Sequence, residues 1–168
     1  MDSTTRRTIL FGIGALAGVG VLGVGALAFL LPRVPLSGTY FSVDGVAIRG
    51  TDVVAYFTDN APVQGSAQHA YDWSGVTWHF SNAQNRDAFA EDPEAFAPQY
   101  GGYCAWAVAA KSELYSTQPR NWSVVDGKLY LNFNDGVQDT WNADVPGFIK
   151  TGDENWPALR TELAQDPL

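Results

Sequence analysis

The 168-residue chain is poor in the side chains that bind soft metals, with one cysteine, one methionine and two histidines. A single cysteine excludes an intramolecular disulfide and any zinc site built from several thiolates. Basic residues are also scarce, since 10 Lys and Arg stand against 18 Asp and Glu, a formal net charge of −8. Nucleic-acid binding needs basic side chains that neutralise phosphates. We therefore expect no nucleic-acid partner.

The composition is that of a folded domain. Aromatic residues make up 13% of the chain and charged residues only 17%. Disordered chains show the reverse, with few aromatics and high charge. The length suits one domain with an appendage.

The appendage is an uncharged run of 24 residues, Thr8–Leu31. As a helix rising about 1.5 Å per residue it would extend roughly 36 Å, enough for a hydrocarbon core of about 30 Å. Arg6 and Arg7 precede the run, and only Arg33 follows it closely. By the positive-inside rule, residues 1–7 are cytoplasmic, 8–31 form a transmembrane helix or signal segment, and the rest lies in the periplasm.

Arg6 and Arg7 also resemble the paired arginines of a twin-arginine (Tat) export signal, which a receptor reads. Ala26–Ala28 has the form of a cleavage site. Cleavage there would leave an apolar new terminus, so we expect a retained anchor in the inner (cytoplasmic) membrane. The alternative is a soluble periplasmic protein after cleavage.

Two β-hairpins are predicted beyond a linker at 32–41. Tyr71–Trp73 and Val76–Phe80 flank Ser74-Gly75 and read as an aromatic hairpin. Trp122–Val125 and Lys128–Phe133 flank Asp126-Gly127, a dipeptide favoured in two-residue type I′ turns.

Short helices are predicted around these hairpins. Ser81 with Gln84 forms a capping box for a first helix, and Pro93 begins a second. Residues 137–163 read as helical pieces broken at Pro146-Gly147 and Pro157. The predicted fold class is α+β: a small single domain with two β-hairpins and short helices at 42–160, preceded by one N-terminal transmembrane helix and followed by a tail at 161–168.

Several motifs together resemble the YHS domain family, in particular its exported bacterial members. The resemblance covers about 42–159 and rests on these segments: Asp52–Phe57, Tyr71–Ser81, Asn85–Phe89, Asp92–Phe96, Tyr100–Cys104, Trp122–Phe133, Pro146–Ile149 and Asn155–Pro157. YHS domains occur in proteins that handle copper and other heavy metals. The cysteine that metal-handling members carry after the aromatic strand is replaced here by Ser81.

The resemblance implies a soft-metal site on Cys104 and His79, with copper as the expected metal. Cu(I) accepts two or three ligands, whereas zinc would also need His69 or a carboxylate. Asp52, Tyr56 and Tyr103 are candidate polar neighbours of that site.

Three functions stay open on these residues. The first is a membrane-anchored periplasmic domain that handles copper. The second is a non-catalytic accessory or interaction subunit docking on a membrane protein complex, suggested by the many aromatic residues. The third is a Cys/His hydrolase, for which Cys104 lacks an evident orienting partner. We expect the protein not to be an enzyme.

Overall fold

The computed structural model describes residues 39–165 of the chain. Eight strands lie in this part: β1 (Ser42–Val43), β2 (Val46–Ala47), β3 (Thr51–Asp52), β4 (Val63–Gln64), β5 (Ser66–Trp73), β6 (Val76–Phe80), β7 (Gln118–Val125) and β8 (Lys128–Asn132). Six α-helices accompany them: α1 (Ala55–Thr58), α2 (Ala83–Glu91), α3 (Pro93–Phe96), α4 (Ala105–Lys111), α5 (Asp135–Ala143) and α6 (Val145–Gln165). Two tight turns, Ile48–Gly50 and Gln99–Gly102, connect neighbouring elements.

The first predicted hairpin is confirmed and belongs to a four-stranded sheet of order β1-β2-β6-β5. Its turn residues Ser74 and Gly75 both have positive φ, 53° and 81°, as a type I′ turn requires. Pairing of β5 with β6 is antiparallel, whereas β2 joins β6 in parallel through Val46 and Thr77. The sequence analysis did not foresee β1 and β2.

The second predicted hairpin, β7–β8, is also confirmed and forms a separate two-stranded sheet. Asp126 and Gly127 have φ of 51° and 73°, so this turn again has the left-handed geometry that matches the twist of its strands. A third antiparallel pair, β3–β4, precedes β5.

Aromatic side chains form most of the core. Trp78, Phe80 and Phe89 are at most 1% exposed, and the Trp78 and Phe89 ring centroids are 4.9 Å apart. Trp141 is fully buried against Tyr130, with 5.4 Å between centroids. Within residues 39–165 the one large hydrophobic side chain that counts as exposed is Val124, at 37%. The aromatic residues therefore pack mainly on one another.

Helix boundaries differ from the prediction at two places. The N-cap of α2 is Asn82, whose Oδ1 accepts from the Asn85 N–H at 2.8 Å, and not Ser81. The C-terminal helical region breaks at Asp144, and α6 then continues through Pro157 for 21 residues. Packing on α4 holds α6 across the proline, since Asn155 Nδ2 donates to the carbonyls of Val108 and Ala109, 3.0 Å each.

The predicted fold class needs a correction in its membrane-spanning component. The domain is α+β with hairpins and mostly short helices, but no helix in 39–165 combines the length and apolar character needed to cross a membrane. The run Thr8–Leu31, to which the transmembrane helix was assigned, lies outside the described residues.

The domain extends beyond the boundaries expected from the sequence. Phe41, assigned to the linker, is 1% exposed, and its N–H donates to the Gly101 carbonyl at 2.8 Å. Tyr40 packs its ring 5.1 Å from that of Trp73. At the other end Leu163, assigned to the tail, packs against the core.

Candidate functional site

Asp52 is a fully buried carboxylate that joins four elements. Its Oδ1 accepts from the N–H groups of Val54 (3.0 Å) and Ala55 (3.3 Å), which start α1. Its Oδ2 accepts from the N–H and hydroxyl of Ser81 (2.8 and 2.7 Å) and from Asn85 Nδ2 (2.7 Å). The carboxylate thus holds β3, α1, the end of β6 and α2 together, and this role uses both of its oxygens.

Cys104 lies immediately before α4, after the Gly101-Gly102 turn, and is fully buried. Its thiol donates to Asn132 Oδ1 over 3.6 Å, and the same oxygen accepts from the Trp106 N–H at 3.1 Å. Asn132 in turn donates to Gln138 Oε1 at 3.1 Å, and Gln138 Nε2 donates to Ser123 at 3.0 Å. A hydrogen-bonded chain therefore leads from the thiol to the β7–α5 side of the domain.

The thiol of Cys104 is protonated at neutral pH. Burial raises its pKa to about 11, although the backbone N–H groups of Ala107, Phe133 and Trp106 face the sulfur and favour the thiolate. The thiolate, not the thiol, is the nucleophile and metal ligand. Cys104 is therefore in its unreactive form in the folded domain.

His79 lies in a different environment. It is half-buried on the polar face of the four-stranded sheet, opposite Ala70, as the alternation along β6 predicts. Its Nδ1 faces Gly50, where a Cβ atom would lie 3.4 Å from it and 3.0 Å from Gln64 Nε2. The neighbours described for His79 and for Cys104 have no residue in common.

No group of three or more His, Cys, Asp or Glu side chains within 39–165 is placed to hold a metal ion. The copper site on Cys104 and His79 stays a prediction. His69 is half-buried on β5. Arg6 and Arg7 lie outside the described residues, so the export signal stays a prediction as well.

Two further candidate residues, Tyr56 and Tyr103, lie in the interior. The Tyr56 hydroxyl donates to the Pro119 carbonyl at 2.8 Å, and its ring lies 5.2 Å from that of Trp122. Tyr103 is fully buried, and burial raises its pKa to about 12. Both side chains connect elements of the core.

Arg49 is a residue that the sequence analysis missed. Its Nε donates to the Thr117 carbonyl at 3.0 Å, and its Cζ lies 5.3 Å from the centroid of the Phe41 ring. A lone arginine in a short polar stretch has no periodic or motif signal. Only the contact across 68 residues of sequence reveals its position.

The surface of the domain is strongly acidic. Residues 39–165 contain sixteen Asp and Glu against seven Lys and Arg, and all of the carboxylates except Asp52 are exposed. Two ion pairs form within this part of the chain, Arg86–Asp87 at 2.7 Å and Arg120–Asp135 at 3.1 Å. Most of the negative charge therefore faces solvent without a cation at ion-pair distance.

Comparison with protein-family models, curated proteins and solved structures finds no match. The likeness to YHS domains therefore stays a prediction from the sequence motifs.

The raised pKa of Cys104 predicts a loss of stability in alkali. Up to about pH 8.5 the thiol is protonated in both the folded and the unfolded chain. Above about pH 8.5 the unfolded chain loses this proton, whereas the folded chain keeps it up to about pH 11. Relative to Cys104→Ser, wild type should lose about 2–3 kcal/mol of unfolding free energy across this window. Urea unfolding of both proteins from pH 7 to 11 measures it. Parallel profiles of unfolding free energy against pH for the two proteins would contradict a raised pKa of Cys104.

Proposed function

We propose that this protein is a non-catalytic interaction domain that docks on a basic surface of a partner protein complex. The observation that supports this most directly is the fifteen exposed carboxylates of residues 39–165, only two of which form ion pairs. A field of one sign steers an oppositely charged partner and raises its association rate.

The polar groups of the interior support the same proposal. Asp52 is occupied by five internal hydrogen bonds, and Cys104 is neutral and bonded to Asn132. Each of these groups stabilises the domain in its present arrangement. Copper handling at Cys104 would require the buried thiol to lose its proton and reach a second ligand.

Salt dependence of the complex tests the proposal. The full chain, purified and added to extracts of its source cells, should cross-link to a partner at about 0.01 M ionic strength, where the Debye length is about 30 Å. The cross-linked product should disappear at about 1 M, where that length is about 3 Å. A complex insensitive to salt, or a chain that stays uncross-linked at low salt, would overturn the proposal.

Matched charge reversals locate the docking face. Glu91 and Glu94 lie on α2 and α3, Glu154 and Glu162 lie on α6, and all four are exposed and outside the two ion pairs. We expect one of the double variants Glu91→Lys/Glu94→Lys and Glu154→Lys/Glu162→Lys to lose the cross-linked product and the other to keep it. The retained variant controls for the change in net charge, which is the same in both.

A copper titration separates the proposal from the metal-handling alternative. When Cu(I) is added together with a competing chromophoric ligand, the fraction of copper bound by the ligand should be the same with wild type as with Cys104→Ser. Tighter binding by wild type, lost in Cys104→Ser, would favour copper handling over docking as the function of this site.

A further inference from the structure

We propose that Arg49 binds a carboxylate group of a ligand through its two Nη nitrogens. This is a binding site separate from the acidic docking surface, and it does not rest on that proposal. Its chemistry follows from how the guanidinium is held and from the charges that surround it.

Arg49 is one of two half-buried cations in the described part of the chain; the other is Arg86. Arg86 forms a close pair with Asp87, 2.7 Å from Nη2 to Oδ1. Arg49 forms no ion pair with any carboxylate of residues 39–165, although these outnumber the cations by more than two to one. Removing a guanidinium from water without a counter-ion is unfavourable. An anion supplied from outside the domain would offset this cost by pairing with the guanidinium.

The guanidinium is already oriented. A guanidinium carries five N–H donors in a fixed fork, and Arg49 uses Nε for the Thr117 carbonyl. Its Cζ lies over the Phe41 ring, 5.3 Å from the centroid, in a cation–π contact. Among residues 39–165 no acceptor lies within hydrogen-bond distance of Nη1 or Nη2, so the Nη1–Nη2 edge is left for an incoming acceptor. Two parallel N–H···O bonds on one edge match the two oxygens of a carboxylate.

The backbone at Arg49 is strained. Ile48, Arg49 and Gly50 have φ of 47°, 56° and 76°, three consecutive left-handed residues. A β-branched residue such as isoleucine is a genuine outlier there. Two backbone hydrogen bonds hold this conformation. The Ile48 N–H donates to the Phe41 carbonyl at 3.1 Å, and the Gly65 N–H donates to the Gly50 carbonyl at 2.9 Å. Strained backbone of this kind is concentrated at ligand-binding positions.

A monocarboxylate fits the site better than a phosphate. The available edge offers one bidentate contact, and the surrounding domain is strongly negative. Repulsion grows with ligand charge, so a dianion is disfavoured relative to a monoanion. The carboxylate could belong to a small acid or to the C-terminus of a peptide, and the two sources differ in the contacts made beyond the carboxyl group.

The experiment is an NMR titration of the full chain, observing the Arg49 Nε–H resonance in wild type and the backbone N–H resonances of residues 48–50 in wild type and every variant. The probes are acetate, N-acetyl-trialanine with a free carboxyl group, the corresponding amide, and inorganic phosphate at matched ionic strength. Arg49 should shift saturably with acetate or the free peptide and not with the amide. Tighter binding of the free peptide than of acetate would assign the site to chain ends, and equal binding would assign it to small acids.

Arg86, already paired with Asp87, is the matched control. Arg86→Gln should leave acetate affinity unchanged, while Arg49→Gln abolishes saturation and Arg49→Lys weakens binding by about tenfold because lysine lacks the fork. The wild-type titration decides the matter if the Arg49 variants fail to fold. Arg49 shifts that are linear and equal to those of Arg86, or phosphate binding as tight as acetate, would overturn the proposal.

Discussion

Asp52→Ala is expected to lower the unfolding free energy by about 3–5 kcal/mol. The buried carboxylate accepts five hydrogen bonds, three of them from the backbone N–H groups of Val54, Ala55 and Ser81. Alanine would leave these donors without an acceptor in the interior, where water cannot replace it. Urea denaturation followed by circular dichroism measures the loss.

Asp92→Ala is the matched control for this variant. Asp92 also caps a helix, accepting from the Ala95 N–H at 3.3 Å, but it is exposed. Loss of an ordinary cap costs about 1 kcal/mol. Equal losses in the two variants would mean that Asp52 acts only as the cap of α1 and does not join β6 and α2 to it.

Gly101→Ala should destabilise the domain by about 3–5 kcal/mol. The residue has a φ of 62°, and a Cβ atom there would clash with the backbone oxygen of Thr39. Backbone cannot move aside as a flexible side chain can, and the Gly101 carbonyl also accepts from the Phe41 N–H. The Thr39–Phe41 segment would have to leave its place on the core. Thermal or urea unfolding reports the change.

Gly127→Ala separates the clash from the cost of a left-handed backbone. Gly127 has a φ of 73°, and nothing lies within 4 Å of a Cβ built on it. A left-handed alanine costs about 1–2 kcal/mol. If Gly101→Ala lowers the unfolding free energy no more than Gly127→Ala does, the Thr39–Phe41 segment can move away from the new Cβ atom without measurable cost.

Local signals predicted the two hairpins because their turns are set by adjacent residues. Ser74-Gly75 and Asp126-Gly127 adopt positive φ with little help from the rest of the fold. Strands β1 to β4 have two residues each, too short for a recognisable alternation. They exist because tertiary pairing, such as Val46 with Thr77, orders them.

The error at the start of α2 has a long-range cause. Ser81 has the residue type and spacing of an N-cap, but its hydroxyl donates to Asp52, 29 positions earlier. Asn82 then caps the helix. Pro157 likewise predicts a break in the helix, because proline locally disfavours helical backbone. The contacts of α6 with α4 outweigh this local effect, and the helix continues.

The candidate site was less predictable than the fold. Its partners are distant in sequence: Asn132 lies 28 positions after Cys104, and Thr117 lies 68 after Arg49. The resemblance to YHS domains pointed to Cys104 and His79 as partners. Burial and hydrogen bonding decide what those side chains do, and neither is visible before the chain is folded.

The aromatic core also gives the domain an optical signature. All six tryptophans lie in the described part, and none of them is exposed. Trp73 and Trp78 have ring centroids 5.9 Å apart at 52°, close enough for their electronic transitions to couple. That coupling exists only while β5 and β6 are paired. Trp141 on α5, by contrast, stacks on Phe148 of α6 with an angle of 17° between the ring planes. The indole emission of Trp141 therefore reports the packing of α5 on α6.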